Sequence, residues 1–150
     1  MTKRLAILIG LLALSPVAAR AACTVSANLL AFGVYPPFSG TPTDSTGEVR
    51  VQCSSGFTGL YTIALNAGLN SGGSFANRQM ASGANRLSYQ LYRDAARTSV
   101  WGDGTGGTST VSTLCTNNCN DRVTVYGRVP ALQHVAPGAY VDTVTVTVTY

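Results

Sequence analysis

Four cysteines, at positions 23, 53, 115 and 119, are the residues of this chain best able to do covalent or metal chemistry. They could form two disulfides, for which three pairings exist, or they could bind a metal ion. A metal site needs about four ligands, and His134 is the only histidine to add to the thiols. Among the pairings we favour Cys23–Cys53, which would tie the first strand to the second, and Cys115–Cys119, which would close a tight asparagine turn.

Other patterns that could carry catalysis lack the context that the chemistry needs. The glycine spacing in 102–107 matches a dinucleotide-binding fingerprint, but that motif works only between a strand and a helix, and no helix is predicted after it. His134 could act as a general base, but it lies beside a proline–glycine turn, which is typical of an exposed loop histidine. Asp94 and Asp103 could act as paired carboxylates, but Asp94 lies in a charged run typical of a solvated turn. We therefore expect neither an enzyme nor a bound cofactor.

The N-terminus has the three parts of a secretory signal peptide. Two basic residues precede an apolar run over 5–14, and small residues at Ala19 and Ala21 mark a cleavage site. The run is shorter than the roughly 20 residues that a membrane span needs, so we expect no stable membrane insertion. The sequence predicts a signal peptide over 1–21 and a mature domain over 22–150, exported to an oxidising compartment where cysteines pair.

Loss of this signal peptide changes the charge of the chain. It removes three of the ten basic residues and none of the six acidic ones. The mature chain therefore has seven arginines, no lysine and a net charge of +1. No basic stripe remains, so we expect no nucleic-acid partner. A surface built from threonine, serine, asparagine and glycine is instead typical of secreted all-β proteins.

Alternation of apolar and polar residues dominates the mature chain and predicts β-strands. It is clearest in the closing segment, where Val144, Val146 and Val148 share one face and threonines share the other. Both residue types are β-branched and suit a pleated sheet. Turn-rich segments separate the strands, which predicts one all-β domain, an antiparallel sandwich. Within 102–121 we expect a long loop with one short strand over 109–114.

Several short segments of the mature chain follow one another in a familiar order. They are Cys23-Thr24-Val25, Phe32-Gly33-Val34-Tyr35, Val51-Gln52-Cys53, the run 87–97, Trp101-Gly102, Val125-Tyr126-Gly127 and the closing run 138–150. Together they resemble the spore coat protein U domain family, which includes the subunits of archaic chaperone–usher pili. The resemblance covers essentially all of 22–150.

This resemblance implies an incomplete immunoglobulin-like sandwich whose final strand is missing and is donated in trans. The donor would be a periplasmic pilus chaperone first and a neighbouring pilus subunit afterwards, with assembly at an outer-membrane usher. Such strand addition combines main-chain hydrogen bonds with pockets for alternate side chains. We expect the donor-strand groove to be lined by Leu30, Phe32, Val34, Val144, Val146 and Val148.

One departure from the family pattern lies at the front of the mature chain. Polymerising members carry an alternating apolar extension before the first cysteine, and this extension is the donor strand. Here Ala22 alone would separate the cleavage site from Cys23, and the closing strand runs to Tyr150 with nothing after it to cover its edge. We therefore expect a subunit that accepts a strand without donating one, placed at the tip of a fibre or in a coat.

Three functions remain to be weighed. The first is a non-enzymatic structural subunit, passing through the periplasm to a surface fibre that serves cell adhesion or biofilm formation. The second is an adhesin that binds through the apolar loop Tyr35, Pro36, Pro37 and Phe38, unless those rings pack over the end of the sandwich. The third is a secreted hydrolase.

Overall fold

The computed structural model describes residues 23–54 and 56–150. The predicted signal peptide and Ala22 lie outside the described residues. Nine strands and a single 3-10 turn, Phe75–Asn77, are present in the described part. The strands are β1 (Cys23–Ala27), β2 (Thr43–Cys53), β3 (Gly59–Leu65), β4 (Gln79–Ser82), β5 (Asn85–Ser88), β6 (Gln90–Tyr92), β7 (Val111–Cys115), β8 (Asn120–Val129) and β9 (Val146–Thr149).

The strands form two facing sheets and one small hairpin. The larger sheet has the order β1-β2-β8-β6, the smaller has β7-β3-β9, and β4 pairs with β5. Every pairing between named strands is antiparallel. The all-β, immunoglobulin-like sandwich expected from the sequence is confirmed.

The core lies between the two sheets and follows the alternation of their central strands. On β2 the buried residues are Val49, Val51 and Cys53, and on β3 they are Tyr61, Ile63 and Leu65. Because successive side chains in a strand point to opposite faces, the polar residues between them face solvent.

One side of the sandwich is closed by residues 100–102, which we call the closed seam. The Trp101 amide donates to the Leu91 carbonyl of β6 at 2.9 Å, and the Leu65 amide of β3 donates to the Gly102 carbonyl at 3.1 Å. The Trp101 ring is fully buried, and its Nε1 donates to the Ile63 carbonyl at 3.1 Å. The seam therefore joins both sheets by main-chain bonds and fills the core between them.

Both disulfides favoured from the sequence are present. Cys23 and Cys53 are direct cross-strand partners of β1 and β2, 30 residues apart in sequence. Cys115 and Cys119 close the turn between β7 and β8. The Cys53 amide also donates to the Cys119 carbonyl at 2.9 Å, which places both bonds at one end of the sandwich.

Regions that the sequence left as loops or turns have specific structures. The short strand expected over 109–114 is β7, which runs one residue further, to Cys115. The Asp94 carboxylate accepts hydrogen bonds from the Thr98 amide and hydroxyl and from the Ser99 amide, at 2.7–3.3 Å. These bonds hold the pKa of Asp94 below its usual range, so this residue closes a turn, as its charged neighbours predicted.

Candidate functional site

On the side away from the closed seam, the edge strands β1 and β9 are not hydrogen-bonded to each other, and we call the gap that opens beyond them the open seam. It forms a groove of about 400 Å³ between the extension of β1 and the segment that leads into β9. Its floor consists of core residues from both sheets: Val49, Leu65, Tyr89, Leu91 and Val125. An apolar groove thus runs along an edge where two sheet margins are exposed.

The β9 margin of the groove presents unused main-chain groups. The Asn66 amide donates to the Thr145 carbonyl at 3.0 Å, and the Thr145 amide donates to the Asn66 side-chain oxygen at 2.9 Å. Both backbone groups of Thr145 therefore face β3. In an antiparallel strand the neighbouring residues face the other way, so the amides and carbonyls of Val144 and Val146 point toward the open seam.

A buried arginine connects this margin to the closed seam. Arg78 is only 1% exposed, and its NH2 group donates to the Asn66 carbonyl at 2.7 Å and to the Trp101 carbonyl at 2.8 Å. The Asn66 carbonyl accepts from Arg78. The Thr145 amide therefore donates to the side-chain oxygen of Asn66 and not to its carbonyl. Arg78 thereby fixes the position of the residue that holds the groove margin.

The β1 margin is an extended segment over 28–34 with little pairing of its own. The last ladder bond runs from the Asn28 amide to the Glu48 carbonyl, at 2.9 Å. Beyond it, the Ser45 hydroxyl donates to the Ala31 carbonyl at 2.6 Å. Among the described residues, no other backbone forms a hydrogen bond with the backbone of 29–34. This margin is held mainly by its side chains.

Two inward side chains of that segment, Leu30 and Phe32, pack against glycine residues of β2 and β8. A Cβ atom placed on Gly127 would lie 2.8 Å from Phe32 Cζ and 2.9 Å from both Leu30 methyl carbons. A Cβ atom on Gly47 would lie 3.1 Å from Leu30 Cβ. Such separations are too short for carbon atoms in contact. The bare backbone of β2 and β8 is therefore what allows Leu30 and Phe32 to line the groove.

One polar pair lies in the otherwise apolar wall. The Tyr89 hydroxyl donates to Asp142 Oδ2 at 2.6 Å, and Asp142 Oδ1 accepts from the amides of Leu69 and Asn70 at 3.0 and 3.3 Å. Burial, reinforced by the bond to Asp142, raises the pKa of the Tyr89 phenol. Both oxygens of this carboxylate therefore accept hydrogen bonds from donors of the same chain.

The structure brings together most of the residues expected to line the groove. Leu30, Phe32, Val144 and Val146 line it, while Val148 packs against the core beyond its end. Val34 does not line the groove and is 92% exposed, because Gly33 adopts a φ of +71° and turns the chain out of the alternation. That expectation is corrected.

Several lining residues escaped sequence reasoning. Asp142 and Tyr140 line the groove two and four residues before Val144, on the same alternating face. Extending the period of the closing strand backward would have found them. Met80 comes from the β4–β5 hairpin, and no local pattern links that hairpin to the closing strand.

The loop proposed for adhesion divides into an anchored and an exposed part. The Tyr35 hydroxyl donates to the Pro130 carbonyl at 2.9 Å and accepts from the Gln133 amide at 2.8 Å. Phe38 is 81% exposed, and its ring lies 5.4 Å from that of His134. Tyr35 is thus a structural anchor, whereas Phe38 presents an apolar ring to solvent.

Across 23–54 and 56–150, no group of three or more histidine, cysteine, aspartate or glutamate side chains is placed to hold a metal ion. The same ranges contain no helix long and apolar enough to span a membrane.

Comparison with known proteins gives consistent matches. A family model described as Spore Coat Protein U domain matches residues 9–147. Protein U of Myxococcus xanthus is 31% identical over 142 residues, which cover 86% of this chain and 78% of the relative.

Among solved structures, this chain is similar to one in the CsuC–CsuE chaperone–tip adhesion subunit pre-assembly complex, from archaic chaperone–usher Csu pili of Acinetobacter baumannii. The TM-score is 0.55 at 25% identity, with 87% of this chain aligned. This chain spans 40% of the length of that chain.

Proposed function

Because this chain belongs to the Spore Coat Protein U domain family, we propose that it is a non-enzymatic structural subunit of a chaperone–usher surface fibre or coat. The observation that carries this proposal is the open seam. It combines a groove of about 400 Å³ with two unpaired sheet margins. Exposed apolar edges promote aggregation in a free monomer, so such a groove is suited to permanent occupation by a partner.

A β-strand from another protein is the occupant that the groove fits. The backbone of Val144 and Val146 would hydrogen-bond to the incoming strand, while alternate apolar side chains would fill the space above Leu65, Leu91 and Val125. Aspartate 142 and Tyr89 already satisfy each other. The donor therefore needs no charged group at its inward positions.

The partners follow from the same proposal. A periplasmic chaperone would fill the groove during export, and a neighbouring subunit's strand would replace it at an outer-membrane usher. The similarity to a chaperone–tip adhesion subunit complex supports a chaperone as the first partner. The protein would then reside at the cell surface.

The position within a fibre depends on the cleavage site. With cleavage after Ala21, one residue precedes Cys23, whereas a strand rises only about 3.3 Å per residue. One residue cannot fill a neighbour's groove, so the subunit would accept a strand without donating one. This favours the tip of a fibre or a coat. N-terminal sequencing of the exported protein tests the cleavage site, and a start well before Ala22 would remove the tip assignment.

Strand uptake is tested with a synthetic peptide of alternating apolar residues and a matched pair of variants. Val146→Asp should abolish uptake, because the new carboxylate would lie unpaired among apolar side chains. Thr147→Asp places the same charge on the outer face and should bind like the parent. Binding is measured by fluorescence anisotropy. Equal uptake by both variants, or a parent that is monomeric and gains no thermal stability from the peptide, contradicts the proposal.

An adhesive role is a second candidate, favoured by the exposure of the Phe38 ring. Phe38→Ala should leave strand uptake unchanged and should weaken attachment of assembled protein to an apolar surface. Tyr35→Phe, which keeps a ring but loses the hydrogen bonds to the neighbouring loop, serves as the comparison. If attachment survives Phe38→Ala, the loop is not an adhesive site.

A further inference from the structure

Two arginines stand directly opposite each other on the outer face of the larger sheet. Arg50 of β2 is the cross-strand partner of Arg122 of β8, and Ser26 of β1 is the partner of Arg50 on its other side. Like charges in this arrangement destabilise a sheet. The pair therefore costs stability in the isolated chain, and a structural role for both charges is a poor explanation of it.

The local charge is only partly neutralised. Arg122 forms an ion pair with Glu48 at 3.0 Å, and Arg50 Nε donates to the neutral side chain of Asn120 at 2.7 Å. Asp121 is adjacent in sequence but points to the opposite face, where its carboxylate accepts the Tyr61 hydroxyl. Two guanidinium groups thus share one carboxylate, that of Glu48, and among the described residues only Arg122 forms an ion pair with it.

Unused donors meet around a small polar cavity at this place. The cavity has a volume of about 120 Å³ and is lined by Ser26, Asn28, Glu48, Arg50 and Arg122. Within the described ranges, neither terminal nitrogen of Arg50 donates a hydrogen bond, and the same holds for Nε and NH2 of Arg122. The cavity is therefore lined by two guanidinium groups with unused N–H donors, together with the Ser26 hydroxyl and the Asn28 side-chain amide.

We propose that this cavity binds a carboxylated sugar, such as a uronic-acid unit of an acidic polysaccharide. A guanidinium group binds a carboxylate through two parallel hydrogen bonds. Ser26 and Asn28 supply neutral donors and acceptors for the neighbouring sugar hydroxyls, and Glu48 accepts from a hydroxyl while disfavouring groups of higher negative charge. The cavity shares Asn28 and Glu48 with the groove of the open seam, whereas Ser26, Arg50 and Arg122 line only the cavity.

The test is titration of the purified exported chain with a galacturonic-acid trisaccharide, followed by calorimetry. A neutral galactose trisaccharide and a phosphorylated trisaccharide, whose phosphate monoester carries a charge of about −1.5 to −2, are the comparison ligands. Arg50→Gln and Arg122→Gln should each weaken the acidic sugar roughly tenfold or more, the effect of losing a charged hydrogen bond. Arg86→Gln removes the same charge from the β4–β5 hairpin, where the side chain bonds only backbone carbonyls, and should change nothing.

Thermal melting distinguishes a binding role from a structural one. Arg50→Gln should not lower the melting temperature, because it relieves repulsion across the strand pair. Ser26→Ala, a minimal change, should weaken the acidic sugar a few-fold without affecting the fold. Absence of binding, equal affinity for the phosphorylated ligand, or an equal loss in Arg86→Gln would overturn the proposal.

Discussion

The two sides of the sandwich differ in how the gap between the sheets is filled. At the closed seam, Trp101 enters the core and its backbone bonds β6, while Gly102 accepts from β3. At the open seam the corresponding margins remain apart, and the space between them is a groove of about 400 Å³. The same chain thus covers the gap on one side with residues 100–102 and leaves a groove on the other side.

This difference shows that the gap between the sheets is confined to one side of the sandwich. The core residues beneath the open seam are buried although they line the groove, since Leu65 is 2% and Leu91 6% exposed. Arg78 links the two seams through hydrogen bonds to Trp101 and Asn66. Arg78 thereby ties the β9 margin of the open seam to the closed seam, whereas the β1 margin has no such link.

Breaking the closed seam should have the largest effect. Trp101→Ala removes a fully buried ring and its hydrogen bond to Ile63, and truncation of a core tryptophan costs about 3–5 kcal/mol. We expect unfolding at moderate denaturant and loss of strand uptake. Phe38→Ala, which truncates an exposed ring, should change the free energy of unfolding little. Similar denaturation midpoints for the two variants would show that the seam is not a structural element.

The two disulfides differ in the length of the loop that each one closes, and they should therefore differ in how much they stabilise the fold. Cys53→Ser opens a loop of 30 residues, with an expected loss of about 3–4 kcal/mol in the chain-entropy model. Replacing Cys115 and Cys119 together opens a loop of four and should cost only about 2 kcal/mol. Urea denaturation measures both. A larger loss in the double variant would contradict this ranking.

Gly127→Val tests the β1 margin of the open seam. The added methyl groups would collide with Leu30 and Phe32, and overpacking of this kind costs about 1–3 kcal/mol. We expect the segment 28–34 to be displaced from the surface of β2 and β8 and strand uptake to weaken, while the domain remains folded. Gly40→Val, where a Cβ meets no neighbouring atom, is the control. Unchanged peptide affinity in Gly127→Val would show that this margin takes no part in uptake.

A smaller effect should appear at alkaline pH. Burial and the hydrogen bond to Asp121 raise the pKa of Tyr61 to about 12, from 10.0. The folded state therefore keeps this proton where the unfolded chain loses it, so the stabilisation is complete below about pH 10 and is lost as the pH rises toward 12. Tyr61→Phe should flatten this part of the stability–pH curve. An unchanged slope in chemical denaturation would contradict the assignment.

The sequence predicted what depends on local alternation. Val144 and Val146 line the groove because a strand repeats every two residues. Val34 was misplaced because the left-handed conformation of Gly33 interrupts that period. Tyr89 lies between β5, which pairs with β4, and β6, which pairs with β8. The alternation of Leu87, Tyr89 and Leu91 does not indicate this change of partner.

Non-local contacts were beyond such reasoning. Arginine is almost never fully buried without a charged partner, so nothing in the sequence marks Arg78 as an interior residue. The closed seam likewise depends on Trp101 meeting strands that are distant in sequence. Both features arise from tertiary packing, which residue spacing does not encode.

The bond between Cys23 and Cys53 also determines how the domain would respond to mechanical tension. It joins the first residue of β1 to the last residue of β2, and β2 pairs with β8 over ten consecutive residues. A pull applied at Cys23 would pass through the covalent bond into β2, so β1 could not be peeled away one hydrogen bond at a time. The load would fall as shear on the longest ladder in the sandwich, the geometry in which many bonds must break together.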